Sequence, residues 1–169
     1  MSRLLAALLA VSLLSPAAHA MDIAKPAVFQ FGSSVADMEA RMKPLCTSLN
    51  TRNITPITAP LAKHSQAQID CLGFAYAGQP RKVELVFQDD QLDIVWVHFP
   101  EEERPQLLAA FKARHGEPSQ DIDFGTVFLQ ANAALRNKPS EVLFASDRQV
   151  QTLLKMLKAA ARPATKETP

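Results

Sequence analysis

The fold of this chain is decided by residues 68–99, which read QIDCLGFAYAGQPRKVELVFQDDQLDIVWVHF. Three apolar runs rich in β-branched and aromatic residues are separated by two turn signals, AGQP and DD. Runs of this kind, bounded by Gly, Pro and Asp, are typical of strands joined by tight turns. The stretch therefore predicts a three-stranded antiparallel meander.

The two turns also predict a register. A two-residue hairpin at Asp89-Asp90 is expected to give the pairs Phe87–Leu92, Leu85–Ile94 and Val83–Trp96. A loop over residues 77–80 is expected to add the pairs Phe74–Val83 and Leu72–Leu85. Because side chains alternate along a strand, all of these residues would share one apolar face, and a slip by one residue would scatter them.

The opposite face and the DD turn together form the candidate binding surface. Its predicted members are Glu84, Val86, Asp89, Asp90, Asp93, Val95 and Val97. Valines beside acidic residues on an open sheet suit a partner strand or loop that docks there. The segment between the two cysteines, residues 47–67, is the alternative contact region.

Residues 1–20 have the features of a cleavable secretory signal. Arg3 is followed by a short apolar run, and the segment ends in Ala18-His19-Ala20. The run is too short to span a bilayer, and no cysteine follows the cleavage point to carry a lipid, so we expect no stable membrane anchor. Localisation in the periplasm or secretion is therefore expected.

Removal of Arg3 leaves 17 basic against 17 acidic residues, starting from 18 and 17 in the whole chain. Without a basic excess or a long basic run, nucleic acid is not an expected partner. The remaining length suits one domain at residues 21–161, with residues 162–169 as a flexible tail.

Cys46 and Cys71 predict one structural disulfide, since an isolated pair in an oxidising compartment normally bonds. Closing a loop of this length is worth about 3–4 kcal/mol in the chain-entropy view. In the register above, Cys71 would lie opposite the apolar face. Either a β-bulge at Gly73 returns Cys71 to the core side, or the first helix covers the other face.

The remaining elements follow from periodicity and capping signals. Expected are a strand at residues 28–31, a helix that begins after Ser34 and ends at Pro44, and a loop between the cysteines with a short segment at 54–57. After the meander we expect a helix over 101–115 closed by Gly116, strands within 122–134 and at 141–145, and a helix from Ser146 to about Ala161. This order is α+β, an antiparallel sheet with helices mainly on one face.

Two local motifs carry a resemblance. Phe31-Gly32-Ser33-Ser34 before the first helix and Gly116-Glu117-Pro118 after the second resemble the outer-membrane assembly lipoproteins of the SmpA/OmlA type and the β-lactamase inhibitor proteins. The resemblance implies helices followed by an antiparallel meander, and a role in binding other proteins. The chain departs from that pattern because it lacks a lipidated cysteine and ends its first helix at Pro44 and Cys46. No functional residue is carried over.

The sequence offers few starting points for catalysis. The patterns G-x-S-x-G and H-E-x-x-H, a P-loop and a dinucleotide glycine motif do not occur. The histidines are scattered, so no metal site and no cofactor are predicted. We expect an exported, non-catalytic protein-binding or envelope-assembly module whose partner is another exported or envelope protein. The alternatives are an inhibitor of an exported hydrolase acting through Asp89-Asp90, and a small hydrolase using His64 with a nearby carboxylate.

Overall fold

The computed structural model describes the backbone of residues 21–160 and the side chains up to residue 156. The expected signal segment and tail lie outside these residues. The helices are α1 (Val35–Met42), α2 (Arg104–His115) and α3 (Asp147–Ala160). The strands are β1 (Ser48–Asn53), β2 (Gln66–Tyr76), β3 (Gln79–Gln88), β4 (Gln91–His98), β5 (Gln120–Ile122), β6 (Gly125–Phe128), β7 (Ala133–Arg136) and β8 (Glu141–Ala145).

All eight strands form one antiparallel sheet in the order β1-β2-β3-β4-β8-β7-β6-β5. The predicted α+β class and the predicted meander are thus confirmed. Each half of the sheet is a four-stranded meander preceded by a helix, and the pairing of β4 with β8 joins the two halves. None of the described helices is long and apolar enough to cross a membrane.

The core lies on one face of this sheet, which we call the inner face. Helix α1 contributes Met38 and Met42 to it, and α2 contributes Leu107 and Phe111, all essentially inaccessible to solvent. The strands supply Ile69, Cys71, Val83, Leu85, Phe87, Leu92, Val95, Val97, Phe128, Leu135, Val142 and Phe144. Their burial provides the main driving force for folding, at about 25 cal/mol per Å² of apolar surface removed from water.

The predicted disulfide between Cys46 and Cys71 is confirmed, with Cα atoms 5.5 Å apart. It links the segment after α1 to β2. Cys71 reaches the core side because the register of β2 shifts between Cys71 and Phe74. The bulge expected at Gly73 is therefore the correct alternative, and α1 covers the inner face. Gly73 has φ +80°, and a Cβ there would lie 2.6 Å from the side chain of Thr47, so glycine suits this position.

This bulge corrects the expected pairing of β2 with β3. Cys71 faces Val83 and Ile69 faces Leu85, whereas Leu72 is 46% exposed on the other face. The predicted pairs Phe74–Val83 and Leu72–Leu85 are wrong. The turn contains only Ala77-Gly78, and the extra residue in β2 displaces every pair before it.

A second bulge, at Asp93, changes the register of β4. The predicted pair Phe87–Leu92 is confirmed, but the next pair is Val86–Ile94, so Asp93 has no opposite residue on β3. A bulge inserts one extra residue into a strand and reverses the alternation of its side chains beyond that point. The two-residue turn is present, with φ of 51° and 59° at Asp89 and Asp90.

The bulge overturns the predicted faces of β4. Val95 and Val97 are completely buried in the core, whereas Ile94, Trp96 and His98 point to the opposite, outer face. The predicted pairs Leu85–Ile94 and Val83–Trp96 are wrong; Leu85 faces Val95 and Val83 faces Val97. As members of the candidate binding surface, Val95 and Val97 are likewise misplaced.

Asp93 is held by polar groups from the start of α3. Its buried carboxylate accepts hydrogen bonds from Ser146 Oγ and Arg148 Nε, both at 2.6 Å, and from Gln88 Nε2 at 3.2 Å. A second bond from Arg148, through Nη2, completes a bidentate ion pair. Ser146 Oγ also caps α3, because it accepts a hydrogen bond from the backbone N–H of Gln149. The side chain of Gln149 accepts a hydrogen bond from Gln88 Nε2.

Two expectations about the smaller elements need correction. The region between the cysteines contains β1, a polar edge strand (SLNTRN) paired with β2, in place of a loop. Residues 28–31 form a turn in which Phe29 is buried, and they do not form a strand. Residues 28–31 and 48–53 lack the alternation or length on which sequence reading relies. The strands expected within 122–134 are confirmed: the range holds the last residue of β5, all of β6 and the start of β7.

We expect the Asp93–Arg148 pair to contribute more to stability than an exposed pair. Arg148→Ala leaves the buried Asp93 carboxylate without its counter-charge, which should cost about 3 kcal/mol of unfolding free energy. Arg52→Ala breaks the exposed pair with Asp70, at 3.0 Å, and should cost at most about 1 kcal/mol. Urea unfolding of both variants tests this, and equal losses would contradict a structural role for Asp93.

Candidate functional site

The outer face of the sheet differs from the inner face because its side chains are charged, aromatic or half exposed. One row of neighbouring residues crosses it from β4 to β7, namely His98, Glu141 and Arg136. The adjacent row runs through Trp96, Leu143 and Ala134. Helix α3 lies over the β5–β8 half of this face, and its first residues reach Gln88 of β3 and Asp93 of β4.

The charged row forms a cluster with β3, which we call the carboxylate–histidine cluster (Glu84, His98 and Glu141). Nε2 of His98 lies 3.2 Å from Glu84 Oε1 and 3.3 Å from Glu141 Oε1. One ligand-type atom from each residue lies within 4.8 Å of the other two. Two cationic side chains flank the cluster: Lys82 contacts Glu84 Oε1 at 2.5 Å and Arg136 contacts Glu141 Oε2 at 2.9 Å.

The electrostatics of the cluster favour ionised carboxylates. The contact with His98, and more weakly that with Lys82, lowers the pKa of Glu84 to about 2, against an opposing effect of burial. The Glu141 side chain is only 4% exposed and has Arg136 as its counter-charge. A buried carboxylate requires such a partner, because desolvation of an isolated charge costs several kcal/mol.

Arg136 also connects the cluster to two aromatic rings. Its guanidinium carbon lies 5.1 Å from the ring centroid of Trp96 and 5.6 Å from that of Phe124. The two rings meet edge to face at 6.4 Å. Cation–π contacts of this kind are worth roughly 0.5–1 kcal/mol at exposed sites and hold the guanidinium plane in place.

Beyond Phe124 the outer face opens into a groove of about 290 Å³ between α3 and the sheet, which we call the α3 groove. Helix α3 lines it with Val150, Leu153 and Leu154. The strands and turns contribute Ile122, Phe124, Val127, Leu129, Ala133, Ala134, Leu143 and Ala145, with Gln120 and Asn132 as the polar members. The floor is apolar because Val127, Ala134 and Leu143 are successive neighbours on the outer face of β6, β7 and β8.

Exposed apolar side chains are concentrated at the α3 groove. Seven large apolar side chains of the described residues are exposed, and Ile122, Phe124 and Leu153 line this groove. A fourth, Met156, lies one turn beyond Leu153 on α3. Clustering of this kind marks a binding surface more often than scattered single residues do.

The other acidic members of the predicted binding surface serve to hold the fold. Asp89 accepts hydrogen bonds from the backbone N–H groups of Lys63, His64 and Ser65, at 2.7–3.0 Å. Asp90 accepts from the backbone N–H of Val35 in the first turn of α1 at 2.9 Å. The DD turn therefore fastens two distant segments to the hairpin. Asp93 and Val86 are buried, and Glu84 alone joins the cluster described above.

The hypothesis of a hydrolase that uses His64 needs a carboxylate beside the His64 ring, and the described residues show no such contact. His64 is exposed, and its hydrogen bond to Asp89 comes from its backbone N–H and not from its ring. The His115 ring packs against Phe111 at a centroid distance of 5.6 Å, and burial lowers its pKa. His98, which no sequence spacing singled out, is the histidine that meets two carboxylates.

Apart from Glu84, the sequence analysis does not single out the residues of the cluster and the α3 groove, because they come from separate strands and from α3. Trp96 was assigned to the core, and Glu141, Arg136 and Phe124 received no site role. No spacing along the chain connects His98 with Glu141, which are 43 residues apart. Only the pairing of β4 with β8 sets His98 beside Glu141.

No protein-family model matches the chain, and no curated protein or solved structure shows significant similarity to it.

The bonds to Asp89 predict a pH-dependent loop. Hydrogen bonds from backbone N–H groups lower the pKa of Asp89 to about 2, and the bond from His64 has the largest effect, followed by those from Ser65 and Lys63. Since this pKa lies below the ordinary value near 3.8, the contribution to stability is complete above about pH 4 and is lost as the pH falls through 2. The amide NMR signals of Lys63–Ser65 should titrate with a midpoint near pH 2.

Asp89→Asn should remove that titration and speed amide exchange at residues 63–65. Asp90→Asn is the matched control, because its carboxylate bonds α1 and not this loop. Amides of residues 63–65 that titrate unchanged in Asp89→Asn would contradict the assignment.

Proposed function

We propose that this protein is an exported, non-catalytic binding module that holds an extended apolar segment of another exported or envelope protein in the α3 groove. Two features support export: the signal-like residues 1–20 and a disulfide, which persists in oxidising compartments. The observation that carries the binding role is an open apolar groove of about 290 Å³ beside β5, which is an edge strand of the sheet among the described residues.

The free edge favours a polypeptide as the occupant. Within residues 21–160, strand β5 is the last strand of the sheet and pairs with β6 alone, and all three of its residues are exposed. The unpaired side of an edge strand offers N–H and C=O groups to an added strand. Gln120 and Ile122 of β5 also line the groove, so a segment paired with β5 would set alternate side chains into the apolar surface.

The groove can take several apolar side chains at once. Each buried methylene contributes about 0.8 kcal/mol, so two or three aliphatic side chains would supply most of the binding energy of a micromolar complex. The cation–π group at Arg136 borders the groove through Phe124, which belongs to both. A partner residue with an aromatic or acidic side chain would suit that end.

Site-specific photo-crosslinking tests the proposal. A benzoylphenylalanine at Leu153 or at Ile122 should cross-link to the same apolar segment of one exported protein in the producing cells. The same probe at Leu72, which is 46% exposed and far along the sheet on β2, should not.

With the partner identified, its purified segment should bind the wild-type chain and lose at least about tenfold in affinity towards Leu153→Asp, because a charge would be desolvated in the groove. Leu72→Asp is the matched control and should bind as wild type. Cross-links between two copies of this chain, or equal adducts from Leu72, would overturn the proposal.

A further inference from the structure

The carboxylate–histidine cluster has a feature that its ion pairs leave unexplained. Nε2 of His98 is inaccessible to solvent and makes no hydrogen bond of proper geometry, although two carboxylate oxygens lie at 3.2 and 3.3 Å. Among the described side chains, it is the one buried polar atom in this condition. Buried polar atoms without a partner are rare in proteins and call for an explanation such as a bound ion.

The distances in the cluster fit the ligands of a tetrahedral ion. Zinc is bound at about 2.0–2.2 Å by histidine nitrogen and carboxylate oxygen, which places neighbouring ligand atoms of a tetrahedron about 3.4 Å apart. The two separations from His98 Nε2, 3.2 and 3.3 Å, are close to this value. The third separation, between the oxygens of Glu84 and Glu141, is at most 4.8 Å and can close by rotation of the glutamate side chains.

We propose that Nε2 of His98 and one carboxylate oxygen each of Glu84 and Glu141 bind a zinc ion on the outer face of the sheet. A mixed nitrogen and oxygen ligand set suits zinc, whereas calcium and magnesium prefer oxygen alone. Three ligands from β3, β4 and β8 are fixed by strand pairing, which lowers the cost of assembling the site. Water completes the tetrahedron on the open side.

The flanking cations leave room for the ion. Arg136 binds Oε2 of Glu141, so Oε1 remains turned towards His98. Arg136 thereby orients the carboxylate, as outer partners of metal ligands commonly do. Lys82 shares Glu84 Oε1 with His98, but its side chain is 42% exposed and can move into solvent when zinc arrives. Lys82 is therefore a competitor of the ion.

Titration of the full mature chain with zinc at pH 7.5, followed by calorimetry, should show one site. His98→Ala removes a ligand and should weaken binding by at least the 10–100-fold that loss of a mere outer partner costs. Lys82→Met should act in the opposite direction and strengthen binding roughly two- to fivefold, because it removes the competing charge. His64→Ala, at an exposed histidine away from the cluster, should bind as wild type.

Nitrogen-15 NMR of the histidine rings supplies a readout independent of affinity. Zinc should shift the Nε2 signal of His98 and leave the signals of His64 and His115 in place. The groove variant Leu153→Asp should bind zinc normally, which separates this site from the proposed partner site. The proposal is overturned if the wild type shows no zinc binding below about 0.1 mM, or if His98→Ala binds zinc as well as the folded wild type.

Discussion

The buried Asp93 carboxylate is the interaction on which the rest of this structure depends. It lies in a bulge of β4 and is satisfied by Ser146 and Arg148 at the start of α3 and by Gln88 at the end of β3. A carboxylate without solvent is tolerated only when it is paired and hydrogen-bonded. The bulge and the position of α3 therefore require each other: the extra residue brings the carboxylate to the helix start, and the helix start makes the extra residue stable.

The bulge determines which side chains of β4 point to the outer face. Beyond Asp93 the alternation of β4 is reversed, so Val95 and Val97 complete the core while Trp96 and His98 face outwards. Because β4 pairs with β8, this reversal sets His98 against Glu141 and Trp96 against Leu143. The place of His98 in the carboxylate–histidine cluster and the place of Trp96 beside Leu143 are thus two consequences of one inserted residue.

The acidic residues of the central hairpin illustrate why chemical type alone does not identify a site. Asp89, Asp90 and Asp93 lie within five positions and are equally acidic in the sequence. In the structure they fasten three different segments: the residues before β2, the start of α1 and the start of α3. Carboxylates that accept several hydrogen bonds from their own chain have little capacity left for a ligand. Glu84 and Glu141 are paired with single cationic side chains, Lys82 and Arg136, and each keeps Oε1 turned towards His98.

The sequence by itself determined the features that depend on neighbours along the chain. Period-two runs and the DD turn defined the meander, the caps at Ser34 and Gly116 bounded two helices, and the isolated cysteines predicted their bond. A bulge at Gly73 was one of two alternatives that the sequence left open, because glycine tolerates positive φ and close packing; the register of β2 decides for it. The bulge at Asp93 was not expected, because it is stabilised by Arg148, 55 residues away. Only the tertiary structure could supply that partner, and with it the face on which Trp96 and His98 lie.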